Sequence, residues 1–409
     1  MVDQNKSKLM NADILVVGGG LNGLPLAIAV ASAGLKVVVL ERDTPEAVTA
    51  NTFDGRVSAI AHASRNLLKS IGVWDHVAEK QPMLDIRITD GPSKFFLHYD
   101  HRQLGDEPFG HMVENRHMRV ALLKRAAEID TLTLLAPATY TRIDRDQDGV
   151  TALLEDGTEI LARLVVAADG RGSRLREMAG IGKVGWSYDQ AGIVCTVEHE
   201  RPHNGVAQER FLNPGPFAIL PMTGNRSSLV WTEQTDMARH LMGLDDDSFL
   251  EEMALRFGDY LGALKIVGPR WSYPLALHQA DSYIGERLAL IGDSAHGMHP
   301  IAGQGLNLGL RDVAALAEVI MDAARLGQDP GSQTALLRYQ QWRRFDSVVL
   351  LTITDLLNRL FTTDISVVRL ARDLGMAAVN RMPSLKGFFM EHARGTTGEL
   401  PRLLAGKRL

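Results

Sequence analysis

The sequence predicts an α/β protein in which a doubly wound, parallel-stranded part is interrupted by a layer of antiparallel strands and followed by helices. Three observations carry that prediction. Asp13 to Glu41 reads strand, helix, strand, with Gly18-Gly19-Gly20-Leu21-Asn22-Gly23 at the first junction. Arg287 to Asp312 reads as a short buried strand, a Gly-Asp turn and the start of a helix that is apolar almost all round. Between them, from Gln190 to about His278, apolar residues recur with a period of two.

The first unit is a complete βαβ element. The apolar run to Val17 is a strand, the helix runs to about Ala33 with Gly34 closing it, and Val37–Leu40 is the next strand, ending in Glu41. GxGxxG where strand gives way to helix is a dinucleotide-binding signature. Gly18 makes the turn, Gly20 lets a pyrophosphate approach the backbone, and Gly23 lets helix pack on strand. Glu41 lies 18 residues past Gly23, close to the spacing of about 20 at which an acid meets a ribose hydroxyl. An acid there favours an unphosphorylated ribose, which suits FAD and NAD alike. Arg42 follows it and joins the cofactor-binding set.

The second unit narrows the cofactor. Leu288 to Ile291 is an apolar run that stops at Gly292-Asp293, so a carboxylate sits at a strand's carboxyl end, where open α/β sheets bind ligands. A loop with Pro300 and Gly303 leads into a helix expected from Leu306 to about Leu326. Gly305, Leu306 and Asn307 then offer backbone N–H groups at a helix N-terminus, a site for negative charge. A carboxylate able to grip a polyol, just before a helix aimed at an anion, suits a flavin. By itself Gly-Asp after a strand is also an ordinary turn.

From Thr139 to Asp169 three short strands are expected, around Ala138–Ile143, Val150–Leu154 and Ile160–Ala167, with Glu155-Asp156-Gly157-Thr158 as a hairpin turn. Beyond Gln190, Ile193, Cys195 and Val197 alternate with polar residues, and Phe211, Phe217–Pro221 and Leu229–Thr232 add strands, with a helix at Asp246–Phe257. Past Arg343 come amphipathic stretches at Phe345–Phe361, Ile365–Val379 and Met382–Met390. The expected division is 1–185 with 281–342 as the dinucleotide domain, 186–280 as the inserted sheet and 343–409 as a helical end. Part of 80–112 is a candidate to join the sheet.

Composition excludes several classes. A chain of 409 residues with a single cysteine, Cys195, holds no internal disulfide and no cysteine-built zinc site. His296 and His299 are three apart, but no further ligands follow at a finger spacing and HExxH is absent, so no metal is expected. GxSxG is missing, which removes support for an acyl-transfer hydrolase. The net charge of −5 argues against nucleic acid. From Arg343 onward, eleven Lys/Arg face six Asp/Glu, a net +5 that leaves −10 for the rest. No secretion signal or spanning helix is read, so a cytoplasmic setting is expected.

GDSAHGMHPIAGQGLNLGLRD, from Gly292 to Asp312, resembles the flavin-contacting motif of single-component FAD-dependent aromatic hydroxylases, the para-hydroxybenzoate-hydroxylase-like group. It is most similar to their ubiquinone-biosynthesis branch, as are GPFAILPMTGNRSSLVWTE and Tyr273-Pro274-Leu275. Asp169-Gly170-Arg171-Gly172-Ser173-Arg174 resembles the group's Asp-Gly motif near FAD and the nicotinamide. The resemblance implies that Arg56, in Asp54-Gly55-Arg56, and Arg119 approach the cofactor. It places His299, Pro300, Gly303 and Gln304 in a loop beside the flavin, with no catalytic side chain assigned. It implies that NAD(P)H reduces FAD, that O2 adds at C4a, and that the flavin hydroperoxide hydroxylates the ring of a polyprenylated phenol. The alternatives left open are another reaction on the same fold, such as epoxidation or reduction, and a flavoprotein component of a quinone-biosynthesis complex. The halogenase motif WxWxIP is absent. A bilayer-borne substrate leaves peripheral contact with the inner membrane, or with a ubiquinone-biosynthesis complex, as further expectations.

Overall fold

The computed structural model describes residues 8–49, 55–91, 93, 96–362, 372, 375–376 and 378–409. Asp54 and most of the stretch expected at Ile365–Val379 lie outside the described residues.

A six-stranded sheet organises the fold, in the order Ile284–Gly285, Leu288–Leu290, Leu164–Ala167, Ile14–Val17, Val37–Leu40, Leu132–Leu135. Every neighbouring pair is parallel except the first. Every residue of Ile14–Val17, Val37–Leu40, Leu164–Ala167 and Leu288–Leu290 is buried, which is why these segments read as continuous apolar runs and not as alternations. The helices Gly23–Ser32 and Gly305–Arg325 pack on each other beside the sheet. The βα junctions match the sequence reading to within a residue or two; Ala33 caps the first helix and Gly34, at φ +102°, follows it.

Two expectations change. The segment Ile160–Ala167 is two strands, because the chain changes sheets at Arg163: Glu159–Ala162 alternates within a four-stranded sheet, and Leu164–Ala167 is buried throughout in the parallel one. The N-terminal stretch taken as a polar tail contains a short strand, Leu9–Asn11, that pairs in parallel with Glu159–Leu161.

The inserted layer is an eight-stranded sheet built on two long strands, Lys183–His199 and Leu264–Ala280. Its far edge is completed by Asp85–Asp90, parallel to Val206–Phe211, and by Phe96–Asp100. One face, with Ile193, Cys195, Val197 and Trp231, is covered by the helix Asp246–Phe257 through Phe249, Met253 and Phe257. The opposite face looks toward the parallel sheet's ligand edge. The C-terminal region is a 30-residue helix, Gln333–Thr362, which begins well before the amphipathic stretch expected at Phe345, and a helix Pro383–Arg394. Tyr339, Arg343, Ser347, Leu351, Thr354 and Asn358 form the long helix's buried stripe.

Candidate active site

Register aligns Val17, Leu40, Ala167 and Leu290 across neighbouring strands. Gly18, Glu41, Asp169 and Asp293 therefore gather along one edge of the sheet, although they are far apart in the chain. A cavity of about 1720 Å³ opens at this edge. That exceeds the roughly 300–1,000 Å³ of a pocket for one drug-sized ligand, so a dinucleotide leaves room for a second molecule.

Gly18, Gly20, Glu41, Arg42, Arg56, Arg119 and Asp169 line this cavity. So do Asp293, Pro300, Gly303, Gln304, Gly305, Leu306 and Asn307. Gly23 and Gly292 do not, and their parts are steric. A Cβ on Gly23 would sit 1.8 Å from the Gly18 carbonyl oxygen, and one on Gly292 would sit 2.3 Å from Nδ2 of Asn22. Gly18, at φ +105°, brings its α-carbon against the Ala168 carbonyl. A Cβ on Gly20 or Gly305, by contrast, would meet nothing within 4 Å, so both backbones face open space.

The Glu41 carboxylate is held in place by the N–H groups of Gly19 at 2.7 Å and Asp43 at 3.1 Å. Asp293 sits in a short 3₁₀ turn, Gly292–Ser294, exposed to the cavity, and its carboxylate makes no hydrogen bond or ion pair among the described residues. The turn itself is fixed: Ser294 Oγ donates to the Ala167 carbonyl at 2.7 Å, and His278 Nε2 lies 3.0 Å from the Asp293 carbonyl. Asp169 has one carboxylate oxygen, Oδ1, buried without a partner, and burial pushes its pKa above the ordinary value against the donors of Ser173 and nearby backbone. Asn307 does something the sequence did not suggest. Its side chain accepts from Ala61 N–H at 2.9 Å and donates to the Ala59 carbonyl at 2.8 Å, tying the helix start to the strand Val57–Ala61.

Within the loop that lines the cavity, the His299 side chain is not among the lining residues. Met298 and Pro300 line the cavity, but the ring between them turns the other way, fully buried and edge-on to Tyr188 at 5.3 Å. Neither ring nitrogen has a partner among the described residues, and burial pushes its pKa down to about 4, so the ring is neutral. His296 is also interior, 2.6 Å from the buried Asp312 carboxylate.

Asn22 was missed. Its side chain fills the spaces left by Gly292 and by Gly309, a glycine inside the Gly305–Arg325 helix, so it locks the glycine loop to the flavin-motif helix. A glycine in mid-helix was the available signal.

The chain matches the FAD binding domain family over residues 11–346. It is 55% identical to ubiquinone hydroxylase UbiL of Rhodospirillum rubrum, over 97% of this chain and 93% of that protein. It is 34% identical to the 3-demethoxyubiquinol 3-hydroxylase of Escherichia coli, over 94% and 98%. The chain belongs to the ubiquinone-hydroxylase family of FAD-binding monooxygenases. Among solved structures, p-nitrophenol 4-monooxygenase PnpA of Pseudomonas putida superposes with a TM-score of 0.79, covering 96% of this chain and 100% of that one. At 19% identity that likeness concerns the fold.

The protein is an FAD-dependent monooxygenase, and the cavity fits the cofactor on its own evidence. Open space in front of Gly20 and Gly305, an unpaired carboxylate at Asp293 and an unsatisfied oxygen on Asp169 are what a bound dinucleotide would occupy and satisfy.

Proposed function

We propose that this chain hydroxylates the aromatic ring of a polyprenylated phenol in ubiquinone biosynthesis. Bound FAD supplies the redox chemistry, taking two electrons from NAD(P)H and passing one oxygen atom of O2 to the ring. The chain's own residues bind and orient. Gly18 and Gly20 would admit the pyrophosphate, Glu41 a ribose hydroxyl, Asp293 the ribityl hydroxyls, and the N-terminus of Gly305–Arg325 the anionic side of the reduced ring, with Arg56 and Arg119 beside the cofactor.

The observation that carries this reading is the continuity of the cavity. It is polar at the sheet edge and becomes apolar beneath the eight-stranded sheet, along Ile86, Ile88, Leu97 and Leu220. It ends against Leu357, Leu360, Phe388 and Phe389 of the two C-terminal helices. A phenolic head at the flavin and an isoprenoid tail toward these helices match that polarity.

Those helices also support a peripheral contact with an anionic bilayer. Phe345 is 77% exposed, Leu356 63% and Phe388 53%, in the part of the chain that carries net +5. Not every apolar residue there faces outward: Phe361 stacks on Phe211 at 3.8 Å inside the fold. No helix among the described residues is long and apolar enough to cross a membrane.

The test is turnover by the purified holoenzyme with NADH or NADPH and a short-chain prenylphenol, with the product read by mass spectrometry. A single oxygen added to the ring is expected. Oxygen on the prenyl tail, or a reduced tail, would replace this reading with epoxidation or reduction; NAD(P)H oxidation that the phenol does not stimulate would end it.

A further inference from the structure

One charged side chain stands on the apolar wall of the cavity. On the strand Val206–Phe211, Ala207, Glu209 and Phe211 share one face and all three line the cavity, which Gln208 also reaches. Cross-strand pairing sets Glu209 in a row that runs Leu97, Ile88, Glu209, Ala218, Val230 across five strands. Every member of that row lines the cavity, and Glu209 alone is polar. Glu209 is half-buried and lines the cavity, and its carboxyl makes no hydrogen bond or ion pair among the described residues. A half-buried carboxyl on an otherwise apolar wall, without a protein partner among the described residues, asks for an explanation.

The position relates Glu209 to the cofactor end. The adjacent row contains Ala207, which packs in a cluster with Leu220 and Ala59. Ala59 is the residue whose carbonyl accepts from Asn307, and a Cβ on Gly303 would lie 3.2 Å from its own. Glu209 is thus one strand row from the segment that holds the helix start and its loop.

Building on the function proposed above, we propose that Glu209 is the catalytic base that accepts the proton of the phenolic hydroxyl. The carboxylate takes that proton, leaving a phenolate whose oxygen lone pair raises electron density on the ring. The ring supplies the electron pair for the new C–O bond, to one oxygen atom of O2; the other leaves as water, with two electrons from NAD(P)H. The ring carbon then loses its hydrogen as a proton, aromaticity returns, and Glu209 gives its proton back to the original oxygen. The residue ends as it began.

The electrostatic setting agrees. Burial alone pushes the Glu209 pKa up to about 8, near enough to working pH for proton exchange with a phenol. The titratable and charged groups on surrounding elements are otherwise engaged or apart. Asp90, next along the same face of its strand, is paired with Arg372 at 2.8 Å. Arg311 is paired with Asp346 at 3.0 Å. Tyr99 lies on the outer strand, its pKa pushed up to about 12 by burial, and His392, on the Pro383–Arg394 helix, has its pKa lowered, chiefly by burial.

The test compares wild-type and Glu209→Gln holoenzymes. With 2-geranylphenol, wild-type kcat/KM should rise with pH through an ionisation near 8. Glu209→Gln should lose that rise and about a hundredfold or more in kcat/KM, as removal of a base does, while keeping its FAD. Wild-type rates in Glu209→Gln, or a lowered rate with the same pH dependence, would overturn the assignment. A second readout does not need turnover. A geranylated nitrophenol, coloured only as its phenolate, is titrated while bound to each holoenzyme, and Glu209→Gln should shift its apparent pKa. No shift, or no saturable binding to the wild type, would overturn the assignment even if hydroxylation is observed. A wild type that forms no hydroxylated product overturns the proposed function instead, and the nitrophenol titration still decides Glu209.

Discussion

The Asp312 carboxylate accepts a hydrogen bond from the backbone N–H of Gly292 at 3.0 Å. Through that bond the interior of the Gly305–Arg325 helix fixes the residue immediately before Asp293. The same carboxylate takes His296 Nε2 at 2.6 Å and Arg343 Nε at 2.9 Å, all buried. Burial would raise the Asp312 pKa, but His296 and Arg343 outweigh it and hold the group below its ordinary value. Asp312→Asn removes one of the two carboxylates that face buried Arg343 and leaves it Asp346, so the cost should fall below the roughly 3–5 kcal/mol of a wholly uncompensated buried charge. A depressed carboxylate contributes stability above its unfolded pKa and loses it as pH falls through the lower folded value. Urea unfolding of wild type and variant should therefore differ most at neutral pH and converge in acid. A constant gap down to pH 3 would mean that ionisation of Asp312 is not what stabilises the site.

Asp293→Ala tests the next residue along. Its side chain makes no hydrogen bond or ion pair among the described residues, so the fold should be unaffected while FAD affinity falls. A charge-assisted hydrogen bond is worth about 1.5–3 kcal/mol, or roughly ten- to a hundredfold in Kd. Fluorescence titration of the apoprotein with FAD measures this, and a Kd within twofold of wild type would remove Asp293 from the site.

Two glycines in the same loop should fail differently. A side chain on Gly20 enters open space, so Gly20→Val is expected to fold and to bind no FAD. A Cβ on Gly18 would lie 2.3 Å from the Ala168 carbonyl oxygen, at φ +105°, so Gly18→Ala should lower Tm as well. Stoichiometric flavin in purified Gly20→Val would mean that the loop is only a turn.

What was legible in the sequence follows from the range of each signal. The unit Ile14–Leu40 and the helix Asp246–Phe257 were read nearly residue for residue, because apolar strand runs and helical periodicity are local signals. The ligand edge was legible too, since Gly18, Glu41, Asp169 and Asp293 each follow an apolar run directly. The membership of Asp85–Asp90 in the large sheet was only a candidate, because its partner, Val206–Phe211, is more than a hundred residues away. Glu209 went unnoticed for the same reason: which face of a strand meets a cavity depends on pairings that one sequence does not display. The resemblance put His299 in the loop beside the flavin, but a motif does not say which way each side chain of an extended segment points.

The exposed apolar residues of the last two helices lead to the final prediction. Phe345 and Leu356 are solvent-facing and do not line the cavity, so changing both to Gln should leave FAD content and turnover of a soluble short-chain prenylphenol intact. Basic residues near a bilayer contribute about 1 kcal/mol each and are screened by salt, so attachment should be weak and reversible. The acidic remainder, at −10, opposes any other orientation toward anionic lipid. Wild-type protein should co-sediment with phosphatidylglycerol-containing vesicles at low salt and release at high salt, whereas the Phe345→Gln, Leu356→Gln variant should bind markedly less at both. Equal sedimentation of the two proteins, or binding by the wild type that ignores both salt and vesicle charge, would show that these helices do not meet the membrane.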